Sequence, residues 1–183
     1  IKDNYLNNNS KIIEIGSNDG TFLKNFKDSN LEYVGFEPSS NVAEIANNNN
    51  VKTLNNFFNQ DSIEQVAEFK NKTDVIYAAN VICHIPNLPD LIKSVDKLLS
   101  KKGVFIFEEP YLGSMFEKTS YDQIYDEHIF MFSGSAIQKI FDLFDMELID
   151  LIKQPTHGGS MRYIIARKGI RQKKTNVQKI LDL

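Results

Sequence analysis

KIIEIGSNDGTFLKNF, residues 11–26, reads as a short apolar run, a turn bounded by Gly16 and Gly20, and a helical face carrying Phe22, Leu23 and Phe26. That order is a strand, a tight turn and a helix. Outward from it the alternation repeats, with β-type runs LEYVGF at 31–36, VKTL at 51–54, DVIYAAN at 74–80 and GVFIFEEP at 103–110. Helical spacing fills the gaps. It places Val42, Ile45 and Ala46 on one face of 39–47, Ile63, Val66 and Phe69 on one face of 61–69, and Leu91, Ile92, Val95 and Leu98 on one face of 88–99. Repeated β–α units predict an α/β chain with a doubly wound, Rossmann-like sheet.

The rhythm stops after Pro110. YLGSMFEKTSYDQIYDEHIFMFS is aromatic-rich and periodic at neither spacing, so about 110–134 reads as an inserted substrate loop. A helix over 135–144 then leads to MELIDLIK and MRYIIAR, whose short connection demands an antiparallel hairpin and makes seven strands in all. Residues 1–168 are therefore expected to form one core, and 169–183 the start of a truncated C-terminal region.

Composition narrows the partners. With 183 residues, 42% hydrophobic, 25% charged and a net charge of −3, the chain lacks the basic face that a general grip on nucleic acid or anionic membrane requires. Cys83 is the one cysteine, and His84, His128 and His157 are not spaced with it as a structural zinc set, so no metal is expected. No apolar stretch has the length of a membrane span and the first residues do not read as a signal peptide, which gives a cytoplasmic expectation. The chain begins with Ile rather than Met, as a fragment would.

The glycine turn is G-x-x-x-G, not the G-x-G-x-x-G of dinucleotide binding, and Glu37 closes the second strand about twenty residues after it. An acid there accepts hydrogen bonds from both hydroxyls of a ribose. Asn80 lies past the fourth strand at the crevice where open α/β sheets bind ligands, and Asn56 and Phe57 lie where an adenine ring would rest. Of Phe57 and Phe58, at least one ring is expected to pack in the core. Farther on, Tyr125-Asp126-Glu127-His128 groups a phenol, two carboxylates and an imidazole, with His84 elsewhere. A base, an oxyanion stabiliser and an orienting group are all available.

The turn and the strand-two acid resemble motif I of class I S-adenosylmethionine-dependent methyltransferases. The phrases GFEPSSNVAEIA, VIYAANVICHIPNL, FEEPYLGSMFEKTSYDQIYDEHIFMFS and HGGSMRYIIAR extend this to nearly all of 10–167 and look like the core of the sugar C-methyltransferase family. The resemblance implies the class I methyltransferase fold and methyl addition at C3 of a nucleotide-linked 4-keto deoxysugar. It implies S-adenosylmethionine held by Glu14, Gly16, Asn18, Gly20, Glu37, Pro38, Asn56, Phe57 and Asn80, leaving as S-adenosylhomocysteine. It also implies His128 as the base for the C3 proton, with Tyr125, Glu127 and His84 lining the sugar site. Asp126 varies in the family and carries nothing.

That chemistry is physically coherent. A proton beside a ketone is acidic because the anion delocalises onto oxygen; an imidazole can remove it and a phenol can stabilise the enolate. Glu127, adjacent to His128, is expected to touch substrate or orient the loop rather than meet the ring of His128. Relatives carry a zinc domain before this core and another domain after it. Methyl transfer to a sugar oxygen or nitrogen, and a non-catalytic cofactor-binding fragment, are the competing readings. His157 reads equally as a substrate contact or a turn, Arg162 as a phosphate contact or a strand arginine, and Cys83 as a small apolar filler.

Overall fold

The computed structural model describes residues 1–27 and 29–181. Seven strands form one mixed sheet: β1 (Lys11–Ile15), β2 (Glu32–Phe36), β3 (Thr53–Leu54), β4 (Thr73–Ala79), β5 (Leu99–Pro110), β6 (Met146–Gln154) and β7 (Ser160–Arg167), in the order β3-β2-β1-β4-β5-β7-β6. β1 runs parallel to β2 and β4, β2 parallel to β3, and β6 antiparallel to β7. The doubly wound sheet is what the alternation predicts and the terminal hairpin what the short connection demands, and the order is the class I methyltransferase arrangement that the resemblance implies. The helices are α1 (Lys2–Tyr5), α2 (Ser40–Asn48), α3 (Leu88–Leu98), α4 (Leu112–Lys118), α5 (Gly134–Asp142) and α6 (Thr175–Leu181). Among the described residues no helix is long and apolar enough to cross a membrane.

Contacts divide the chain into two compact units, residues 1–78 with 89–105 and residues 79–88 with 106–183. In the first, Ile12, Leu23, Phe26, Leu31, Ala46 and Val51 make a buried cluster. α3 buries Leu91, Ile92, Val95 and Leu98, the face its spacing predicts. In the second, the fully buried rings of Phe107 and Tyr163 stack at 4.9 Å, and Phe141 from α5 lies 5.9 Å from Phe107. Ser133 caps α5 by accepting the Ala136 N–H. α6 is held to β6 by Asn176, whose amide donates to Asp150 and to the Leu151 carbonyl, both at 2.6 Å.

Several elements depart from the periodicity. The helix expected over 21–28 is only a 3-10 turn, Leu23–Phe26, with position 28 outside the described residues. The Asn25 side chain donates to the Thr21 and Phe22 carbonyls, which a continuing helix would need for its own backbone bonds. The segment Ser62–Phe69 is also 3-10, kinked where Val66 leaves helical angles (φ −123°, ψ 43°). α2 buries Ala43 and Ala46 and leaves Ile45 49% exposed, one position round from the expected face. β5 starts at Leu99, so Leu99 belongs to a strand and not to the preceding helix. Within 110–134 lies α4, too short at seven residues to show an apolar stripe.

Candidate active site

In the first unit β1 ends at Ile15 and the chain turns at once, with Gly16, Asn18 and Gly20 at φ of 66°, 51° and 81°. The Gly16 and Ser17 N–H groups both donate to the Phe36 carbonyl, at 2.8 and 3.0 Å, which fixes the turn to the end of β2. The approach is close enough that a Cβ on Gly35 would overlap the Ser17 side chain. Glu37, the first residue after β2, accepts the Asn18 N–H on one carboxylate oxygen at 3.0 Å and the Ser39 N–H on the other at 2.9 Å. Each oxygen keeps a further lone pair, so the carboxylate can still receive two donors.

Asn55 donates its amide to the Glu37 and Pro38 carbonyls, at 3.0 and 2.9 Å, and so clamps the acid's backbone. Its neighbour Asn56 is half-buried and bonds through its N–H to the Leu54 carbonyl. The paired rings separate as expected: Phe58 is buried edge-on to Phe36, and Phe57 is 72% exposed.

Glu14 is 6% exposed, and its Oε2, like the buried Ser17 Oγ, has no hydrogen-bond partner among the described residues. Burial, reinforced by the negative charges of Asp19 and Glu37, raises its carboxyl from the ordinary 4.5 to about 8. The folded chain therefore keeps a proton that the unfolded chain has already released. Stability is held at acid pH and declines as pH rises from about 4.5 to about 8. Glu14→Gln, which cannot ionise, is expected to lose less thermal stability than the parent across that window; parallel profiles would remove Glu14 as the source.

The second unit builds a separate constellation. The fully buried Glu109 accepts the Val81 and Ile82 N–H groups on one oxygen, at 3.1 and 2.7 Å, and fixes the turn Ile82–His84. Burial holds the Glu109 carboxyl above its ordinary range, and raises the Cys83 thiol that hydrogen-bonds it. The Cys83 carbonyl accepts the Ile129 and Phe130 N–H groups, at 3.0 and 3.3 Å, tying the inserted segment to this turn.

There the predicted residues meet. His84 Nδ1 lies 2.6 Å from the Glu127 carbonyl and His128 Nδ1 lies 2.8 Å from the Gln123 carbonyl. Carbonyls only accept, so both rings carry the proton on Nδ1. The free lone pair of His128 is then on Nε2, where the Tyr125 hydroxyl donates at 2.8 Å. The two imidazoles are 5.1 Å apart, and the Tyr125 ring lies 4.1 Å from that of His128. Glu127 is exposed, and the contact it makes here is that of its backbone carbonyl with His84.

Asn80, with φ 54°, donates its amide to His157 Nε2 at 3.2 Å, and its own Oδ1 is buried without a partner among the described residues. His157, Gly158 and Gly159 all have positive φ, the turn reading of that segment. Arg162 gives Nε and a terminal nitrogen to one Glu108 oxygen, at 2.8 and 2.7 Å, so its charge is met inside the fold. Sequence reasoning missed Ser17, Asn55 and Glu109. Only Glu109 left a signal, as an acid at the end of a long apolar strand.

Residues 3–151 match the family model described as a methyltransferase domain. The chain belongs to that family. A curated relative, the C-methyltransferase NovU of Streptomyces niveus, is 29% identical over 156 residues, covering 85% of this chain and 37% of the relative. This methyltransferase domain thus spans little more than a third of that protein. Among solved structures, an S-adenosylmethionine-dependent methyltransferase from Clostridium acetobutylicum superposes with a TM-score of 0.69 at 13% identity, over 92% of this chain and 87% of its own. The plantazolicin methyltransferase BpumL, in complex with SAH, gives 0.64 at 13% identity, over 87% and 76%.

Proposed function

We propose that this domain is an S-adenosylmethionine-dependent C-methyltransferase that acts at C3 of a nucleotide-linked 4-keto deoxysugar. The observation that carries the reading is His128, anchored through Nδ1 to the Gln123 carbonyl, with its Nε2 facing the Tyr125 hydroxyl. The similarity to a C-methyltransferase supports the same reaction type.

The residues of the glycine turn fit the cofactor. Glu37 has two acceptor positions for a ribose diol, Gly16 and Gly20 leave the backbone open, and the unpartnered Glu14 Oε2 suits an ammonium group. S-adenosylmethionine is the methyl donor and supplies an already activated methyl group. The rest falls to the protein's own side chains. His128 Nε2 takes the proton from C3, and the Gln123 carbonyl stabilises the imidazolium so formed through Nδ1. Tyr125 turns its hydroxyl from Nε2 to the ketone oxygen, which uncovers the base and provides the hydrogen bond that the enolate needs. His84, steered by the Glu127 carbonyl, presents a second ring to the sugar.

Two readouts test this with one substrate, a nucleotide-linked 4-keto deoxysugar. Held in D₂O with S-adenosylhomocysteine, the sugar is expected to exchange its C3 proton; with S-adenosylmethionine, the new methyl is expected on carbon. A methyl found on oxygen or nitrogen, without C3 exchange, would overturn the reading and leave His128 as activator of a hydroxyl or amine.

A further inference from the structure

Cys83, the chain's one cysteine, takes no part in the reaction above, yet the fold brings it to both imidazoles. Separated by forty-odd residues in sequence, Cys83 and His84 meet His128 so that one ligand atom from each lies within 4.8 Å of the others. Spacing could not reveal this set, because it is assembled by the inserted segment folding against the turn. We propose that Cys83, His84 and His128 form a binding site for a divalent cation of the zinc type, and that its occupancy blocks the base.

Three features of the site support this. The donors are a thiol and two imidazoles, the combination that selects zinc over the oxygen-seeking cations. Each imidazole gives Nδ1–H to a backbone carbonyl, at 2.6 Å for His84 and 2.8 Å for His128. Metal-ligating histidines are oriented in just this way, with the other ring nitrogen left as the ligand. The third is the fate of the thiol proton. As the sulfur–metal bond forms, the S–H bond breaks, and Glu109, buried beside the thiol and hydrogen-bonded to it, is the group placed to receive the proton.

Three protein ligands leave one position of a tetrahedron open. Binding would engage the same His128 lone pair that the proposed reaction uses, so the blocking of activity rests on that reading, whereas binding itself does not.

Cobalt(II) is the probe. Titrated into the chain, it is expected to bind with tetrahedral visible bands and a thiolate-to-cobalt charge-transfer band, at one ion per chain, displaced by zinc. Cys83→Ser is expected to lose the charge-transfer band, and His84→Asn to weaken or lose both sets, with circular dichroism confirming that each variant is folded. Absence of the band in the folded parent, or a band unchanged in His84→Asn, overturns the site. Zinc is expected to suppress C3 exchange in the parent and not in Cys83→Ser. A cobalt band together with undiminished exchange keeps the metal site and instead overturns His128 as the base.

Discussion

His128→Asn is expected to slow C3 exchange, and methyl transfer with it, by roughly 10²–10⁴-fold, the range over which a positioned general base acts. The substitution is chosen for what it keeps. An asparagine amide can still donate to the Gln123 carbonyl, which now accepts Nδ1–H at 2.8 Å, so the loop retains its anchor while the lone pair at Nε2 is removed. Cofactor affinity is expected to be unchanged, because the glycine turn and Glu37 are built by other elements. Proton NMR of the sugar in D₂O reads the exchange directly. A folded variant that exchanges within about tenfold of the parent would take the base role away from His128.

Glu37→Ala carries the other large effect. Calorimetric titration with S-adenosylhomocysteine is expected to show binding weakened on the order of a hundredfold or more. Two charge-assisted hydrogen bonds are lost, each worth about 1.5–3 kcal/mol, and about 1.4 kcal/mol is a factor of ten. The variant also strips partners from the Asn18 and Ser39 N–H groups. Glu37→Gln controls for that, since its carbonyl oxygen can keep one of the two while its amide cannot accept a hydroxyl. An intermediate affinity is expected for it, and a parent-like affinity in both variants would move the ribose elsewhere.

The fold was legible because the sheet is made of buried strands, and buried strands leave long apolar runs. Ile12, Ile13, Val75, Ile76, Phe105 and Phe107 are all fully buried, and each lies in a run that the periodicity marks as a strand. What failed were the short connecting segments. Asn25 diverts the helix after the glycine turn with its own side chain, and α2 buries Ala43 and Ala46 while leaving the larger Ile45 exposed. Neither effect has a period to read.

The site was legible in kind. His84, Tyr125, Glu127 and His128 are brought together, yet the sequence carries no mark of the carbonyls that set the tautomers, because any residue supplies a carbonyl. Glu109 was hidden for a related reason. A carboxylate at the end of a strand looks like a solvated residue until the fold closes over it and leaves it two backbone N–H groups to bind.

Gly35 shows what this arrangement demands of engineering. In the interior of a strand, glycine is a poor choice by propensity, costing about 0.5–1 kcal/mol against alanine, and a propensity-guided redesign would replace it with a β-branched residue. The Ser17 side chain already occupies that space. A larger residue would push the glycine turn away from β2, so a strand position that is weak by propensity is also one that a stabilisation campaign has to leave alone.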